Sequence, residues 1–211
     1  MRICSFPLWV AVSLAVVSIH APAEIAFVDG QCRDSETGKP AWHEHLLAPC
    51  SDLEKKTLIN QDFNKLDLTG SRANQANLSR SRLTSTRFLM MSWPDGHFDQ
   101  GVCHDSKFSH ADMRGLKAKD SQWTDCQLDH VDLRGSRFYQ AQMTGGSLSG
   151  ARLAYSALIL STFRDVDLRG TDFTDALVSM NTWQGCVFDN TTQLPFSEAK
   201  ALELGMRKVT N

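Results

Sequence analysis

Between Leu53 and Phe188 every fifth residue is apolar, in an unbroken series of 28 positions that opens Leu53, Leu58, Phe63, Leu68 and closes Phe173, Val178, Trp183, Phe188. Neither common element has this period. On an α-helix five residues advance about 500°, so the apolar positions would spiral around the surface. A plain strand alternates with period two, so an odd period would throw successive apolar residues to opposite faces. The conflict disappears if the chain turns a corner every five residues.

With the large apolar position as the centre of each unit, the residue two places earlier is nearly always small, as at Ala76, Ser81, Gly96, Gly101, Ser121 and Cys126. Residues of the same parity on a short strand share a face, so this slot and the centre both point inward. The residue between them points outward and is usually polar, as at Asp67, Arg82, Asp112 and Asp167. The two residues after the centre make the corner. The second of them is glycine at Gly70, Gly115, Gly135, Gly145, Gly150, Gly170 and Gly185, which suits corner dihedrals. Four units close a square coil of 20 residues. Coils then stack like parallel strands about 4.8 Å apart, six to seven of them in a rod roughly 30 Å long. One unit cannot bury its centre residue alone; stacking does that.

The units Ala76-Asn77-Leu78-Ser79-Arg80, Ala111-Asp112-Met113-Arg114-Gly115, Val131-Asp132-Leu133-Arg134-Gly135 and Val166-Asp167-Leu168-Arg169-Gly170 resemble those of the pentapeptide-repeat proteins, whose unit is A(D/N)LXX. The resemblance covers about two thirds of the chain. It implies an all-β fold, a right-handed quadrilateral parallel β-helix. It says little about activity, since most members have none assigned. Some cytoplasmic members imitate DNA and protect DNA gyrase from quinolones, but that mimicry needs a strongly acidic rod. Between Leu53 and Asn190 there are 16 Asp and Glu against 16 Lys and Arg, a net charge of zero.

Outside the repeats the composition changes. Residues 1–23 read as a secretory signal: Arg2 gives a basic start, Ile3 to Ile19 is mostly apolar, and Ala21-Pro22-Ala23 fits a cleavage site. A retained membrane anchor is the rival, since the run approaches spanning length; Pro7 and the cleavage site favour removal. The expected location is the periplasm or the medium, with no membrane attachment once the leader is gone. Residues 24–52 form a head piece without the period, expected to cover the open first coil. Its Cys32 and Cys50 flank an irregular loop and, in an oxidising compartment, are expected to form a disulfide worth about 3 kcal/mol. Cys103 sits at a centre, and Cys126 and Cys186 at small slots. Cys126 and Cys186 share a column about 14 Å apart, too far to bridge, and all three read as small buried hydrophobes. Trp93-Pro94-Asp95-Gly96 is expected to form a local bulge within residues 53–193. From residue 194 the period breaks, and Ser197 is expected to cap a helix through Met206 that carries Leu202 and Met206 on one side and plugs the far end of the rod or meets a second copy.

Candidate chemistry is sparse. His110 and His130 share a corner column, with Asp105 and Asp125 in the preceding one, and His43 and His45 have a spacing that permits ligation. A metal needs three or four ligands and the sequence gathers no such set, so neither a metal nor another cofactor is expected. A secreted metal-dependent hydrolase rests on those histidines alone. There is no Gly-x-Ser-x-Gly elbow and no phosphate-binding glycine loop, and the expectation is a non-enzyme. No basic face runs along the rod, which weighs against nucleic acid. One side is less bland: Tyr139, Ala157, Ile159 and Leu177 on the outward positions, with Tyr155, Leu160 and Met180 at the adjoining corners and Lys117, Lys119 and Arg137 earlier on the same side. Such a patch suits a protein partner or a second copy, unless the C-terminal helix folds back over it. The expected function is an exported binding or scaffold module.

Overall fold

The computed structural model describes residues 25–44 and 47–210. The leader expected at residues 1–23 and the candidate ligand His45 lie outside them. The chain is an almost all-β parallel solenoid of quadrilateral coils. A head hairpin, β1 (Ile25–Val28) and β2 (Gln31–Asp34), is antiparallel. On one side of the rod β3 (Arg82–Thr84), β4 (Val102–His104), β5 (Gln122–Thr124), β7 (Gln142–Thr144) and β9 (Thr162–Arg164) form a five-stranded parallel sheet; on another β6 (Arg137–Tyr139), β8 (Ala157–Ile159) and β10 (Leu177–Ser179) form a three-stranded one. Neighbouring strands of these two sheets pair residues 20 places apart, as in Leu83 with Cys103 and Leu158 with Val178, and isolated bridges keep that register from Asp52–Arg72 onward. All the centre residues are buried except Leu58 and Val178, which pack partly buried against the same core.

The repeat follows from where five backbone N–H groups go. The centre N–H donates to the next coil (Leu78 to His97 C=O, 2.9 Å), as does that of the second corner residue (Arg80 to Asp99 C=O, 2.9 Å). The next N–H closes the turn onto the centre carbonyl (Ser81 to Leu78, 3.2 Å), and the one after reaches back to the previous coil (Arg82 to Gln61 C=O, 2.9 Å). Only the first corner residue is left over. Its N–H donates to the side chain two residues earlier: Ser79 to Asn77 Oδ1 at 3.0 Å, Arg169 to Asp167 Oδ1 at 3.0 Å, Thr174 to Asp172 Oδ1 at 2.9 Å. That is why Asp or Asn precedes the centre in these units; where Arg82, Val102 or Gln122 stands there instead, the first corner residue belongs to a strand.

Pro94 occupies this same position and has no N–H to satisfy. The residue two before it is accordingly Ser92, whose hydroxyl donates instead to Asn74 Oδ1 at 2.8 Å. The bulge expected at Trp93–Gly96 is therefore absent: Trp93 and Asp95 N–H keep the ladder to Asp112 and Arg114 C=O. The second corner residue is left-handed in every unit from Lys55 to Gly185, whether glycine or not. At the small slots Gly96 and Gly101 the requirement is space, since a Cβ there would overlap the Trp93 indole and the Phe98 ring.

The ends correct several expectations. The head covers the first coil in part, pairing His43 with its outer edge at Ser51 and Asp52, and otherwise leans on the side of the rod. Phe27 and Cys32 pack on Gly70, the Arg72 guanidinium lies 4.5 Å from the centre of the Trp42 ring, and Gly30 lies beside Met90. Among the described residues, the outer edge of the first coil at Thr57, Asp62 and Asp67 has no strand partner. Cys32 and Cys50 are bonded, with Cα atoms 5.5 Å apart. Cys103 and Cys126 are bonded too, with Cα atoms 6.5 Å apart, so of the three repeat cysteines only Cys186 is the free buried thiol expected. Reasoning along columns of 20 missed this bridge because the partner is 23 residues on. That step repeats along the rod: a small-slot hydroxyl donates to the centre carbonyl 23 residues earlier, as from Ser81 to Leu58 and Thr86 to Phe63. Cys126 stands over Cys103 by the same geometry.

At the far end one extra residue shifts the register, so Asp172 pairs with Gln193. The buried Asp189 carboxylate gathers the N–H groups of Thr191 and Thr192 in the turn that holds it. The helix α1 (Glu198–Glu203) has Ser197 as its N-cap, as expected, but stops short of Met206. Gly205 takes the left-handed conformation and the bonds Gly205 N–H to Leu202 C=O and Met206 N–H to Ala201 C=O close the helix. Ala201 and Met206 are buried while Leu202 is exposed. The tail then returns as β12 (Arg207–Lys208), parallel to β11 (Val187–Phe188).

Two substitutions separate space from backbone conformation. Gly135 is left-handed with open space around a Cβ, so Gly135→Ala costs about 1 kcal/mol; Gly101→Ala, pressed onto Phe98, costs about 1–3 kcal/mol, both read from denaturant midpoints. Alkylation of protein unfolded without reductant, mapped by mass spectrometry, will modify Cys186 and spare Cys32, Cys50, Cys103 and Cys126.

Candidate functional site

The corner column of Asn60, Arg80, Gln100, Asp120 and Gln140 is polar until its last two members, Leu160 and Met180. Both are left-handed, at φ 55° and 54°, a conformation that bulky apolar residues avoid when free. The inter-coil ladder imposes it, and it throws the side chains outward. Tyr155 is turned out in the same way from the preceding corner. Between the two corners the side carries the outward column Lys117, Arg137, Ala157 and Leu177, in register on successive coils.

The structure leaves this side open. Met180 is 80% exposed, Tyr155 69% and Leu177 59%, with Tyr139 and Leu160 at 40% each; Ile159 and Ala157 are half-buried. The helix α1 does not cover them. Basic groups rim the patch: Lys119 Nζ lies 5.8 Å from the centre of the Tyr139 ring and Lys117 Nζ lies 3.3 Å from His97 Nε2. Among the described residues neither Lys117 nor Arg137 has a carboxylate partner.

Reasoning from the period alone missed a hollow of about 490 Å³ beside the patch, between Val178–Asn181 and the closing segment Pro195, Phe196, Lys200 and Leu204, with Trp183 against it. The sole signal in the sequence was the loss of phase after Phe188. A second hollow, about 300 Å³, lies under the head and is lined by Cys32, Trp42, Gly70 and Arg72.

Among the described residues, the carboxyls with shifted acidity are those that accept from arginines or from backbone N–H groups. The Arg72 side chain donates to Asp52 and holds its carboxyl below the usual range despite partial burial. Burial pushes Asp132 and Asp167 up, but bonds from the side chains and backbone N–H groups of Arg134 and Arg169 outweigh it and hold both carboxyls down. Burial pushes the Cys186 thiol up to about 11, which makes it a poor nucleophile. His110 and His130 stack with ring centres 5.0 Å apart. No group of three or more metal-ligating side chains occurs among the described residues, and none of the described helices is long and apolar enough to cross a membrane.

The Pentapeptide repeats family model matches in eight copies, over residues 57–90, 106–145, 124–154 and 147–178, just over half the chain. The chain belongs to the pentapeptide-repeat family. No curated protein sequence matches it. Solved pentapeptide-repeat structures are similar at low identity. A trypsin-treated variant of QnrB1, a plasmid-mediated fluoroquinolone resistance protein, is 13% identical over 73% of this chain and 91% of its own, with a TM-score of 0.45. A pentapeptide repeat protein from the thylakoid lumen of Arabidopsis thaliana is 16% identical over 69% and 74%, with a TM-score of 0.30. HetL of Nostoc sp. strain PCC 7120, involved in heterocyst differentiation regulation, is 14% identical over 70% and 92%, with a TM-score of 0.21. The repeat is what they share with this chain, and they assign it no activity.

The carboxylates of this pentapeptide-repeat rod set its acid stability. Asp52, Asp132 and Asp167 are held below their unfolded values of about 3.9, so their contribution is complete above pH ~4 and is lost as the pH falls through the folded values. Asp132→Asn keeps an acceptor for Arg134 N–H but does not titrate; urea midpoints between pH ~2 and ~5 will fall less steeply for it than for the parent.

Proposed function

We propose that this pentapeptide-repeat chain is an exported, non-catalytic module that binds another protein through the last two coils. The observation that carries the reading is the exposed cluster of Tyr155, Leu160, Leu177 and Met180 beside the uncompensated Lys117 and Arg137. Contiguous apolar surface rimmed by cations is unusual on a monomer and is characteristic of contact surfaces. The leader-like residues 1–23 support export, and so does the presence of two disulfides, which persist in oxidising compartments. The balanced charge of the repeats gives no support to DNA mimicry. The depressed carboxylates and the raised thiol favour a structural role over catalysis.

Photo-crosslinking in the native compartment tests this. A benzophenone amino acid placed at Tyr155 or Leu177 should give a discrete adduct with a partner. The same group at the exposed Gln122, on a different side of the coil, should give none. Leu177→Glu with Met180→Glu should abolish the adduct formed from position 155 while changing stability by no more than about 0.5 kcal/mol. Equal labelling at all three positions, or none at any, defeats the proposal.

A further inference from the structure

We infer that the β10 edge of the last coil is an open strand-acceptor slot, filled by an extended segment of a partner protein that carries a small residue, any residue, then a large apolar residue. The inference rests on the protein-binding reading and gives it a mode. One coil earlier the ladder on this side is complete: Ser156 C=O accepts from Leu177 N–H at 2.8 Å and Leu160 N–H donates to Ser179 C=O at 2.9 Å. The corresponding groups of the last coil, Ala176 C=O, Val178 N–H and Met180 N–H, have no partner among the described residues. Asn181 C=O and Trp183 N–H, on the adjoining side, are likewise without a partner among the described residues, while the other sides of that coil continue their own ladder, through Gln193, through Gly205 and through β12.

Directly beyond this edge lies the hollow of about 490 Å³, with Val178, Ser179, Met180 and Asn181 on one wall and Pro195, Phe196, Lys200 and Leu204 on the other. A strand seated there has β10 on one edge and the closing segment on the other. It cannot at the same time belong to an intact sheet, so the occupant is a loop or a tail and not the edge of another folded rod. Three residues at about 3.3 Å each span the length of β10. Two of their side chains point inward, the first under the small-slot geometry of Ala176 and the second toward Trp183, Phe196 and Leu204. Main-chain bonds supply the attachment and the inward pair the selectivity, as in strand addition generally. The opposite end of the rod shows the contrast. The first coil's open edge carries Asp62 and Asp67, charges of the kind that protect an edge from pairing, whereas β10 presents Leu177.

The probe is a fluorescein-labelled peptide copying residues 154–161, the strand that fills this place one coil earlier. It should raise anisotropy on titration with the protein, and the version with Leu158→Asp should bind at least about tenfold more weakly. Hydrogen exchange of the protein provides the site readout: Val178 and Met180 amides should exchange much faster than Leu158 and Leu160 amides in the free protein, and slow by about tenfold or more when peptide saturates. Absence of binding, or binding that leaves those two amides unchanged, overturns the slot. Protection of both amides in a dimer seen by sedimentation also overturns it, by assigning the edge to a second copy. Adducts at Tyr155 and Leu177 without peptide binding would refute the slot and spare the protein-binding reading; loss of both would refute both.

Discussion

Every coil depends on hydrogen bonds to residues about 20 places away, and none is stable by itself. A five-residue side has at most one turn-closing bond of its own, from the N–H of the third residue after the centre to the centre carbonyl. The rest of its backbone is satisfied from the coils above and below. A left-handed residue at every corner would be a poor choice in a free peptide. It persists at Met90, Tyr155, Leu160 and Met180 because the stacked ladder over-determines the backbone. Corner conformation is therefore a consequence of stacking, and glycine is a convenience at most corners and not a condition.

The same stacking organises the interior. Centres 20 apart lie one above another, so aromatic centres form face-to-face pairs: Phe88 on Phe108 with ring centres 4.8 Å apart, and Phe163 on Trp183 at 4.5 Å. Larger rings take space from the next slot along the chain, and the glycines at 96 and 101 concede it to Trp93 and Phe98. Polar groups are placed with equal economy. The outward Asp or Asn satisfies the one N–H that the ladder cannot reach, and where the chain puts proline at that position the carboxylate is dispensed with. The acidic residues of the repeat are thus local backbone partners first and surface charge second, which is why several also hold an arginine without forming a site.

A solenoid must finish at both ends, and the two are finished differently here. The head clamps the side of the first coils with a disulfide, Phe27 on Gly70 and Arg72 against Trp42. The far end folds Ala201 and Met206 into the core and returns a strand to β11, yet leaves the β10 side without continuation. The apolar residues that gather around this gap are the ones the fold has no interior use for. That coincidence of an unfinished ladder with surplus apolar surface distinguishes the last coils from the rest of the rod.

The sequence determined the coil by itself, because a period of five with one large inward residue admits a single packing solution. The register of 20, the buried centres, the outward patch from Tyr139 to Met180 and the Cys32–Cys50 pair were all legible in it. Helix α1 was legible at its start, where Ser197 is a local cap, and misread at its end, where Gly205 was overlooked. Only the tertiary structure decided the diagonal relations. Cys103 meets Cys126 across a corner and between coils, a step of 23 that no column of 20 contains. The head's position on the side of the rod, the absence of a bulge at Pro94 and the slot beside β10 belong to the same class. Each depends on which backbone groups remain unpaired after the coils have stacked, and that remainder exists only once the chain is folded.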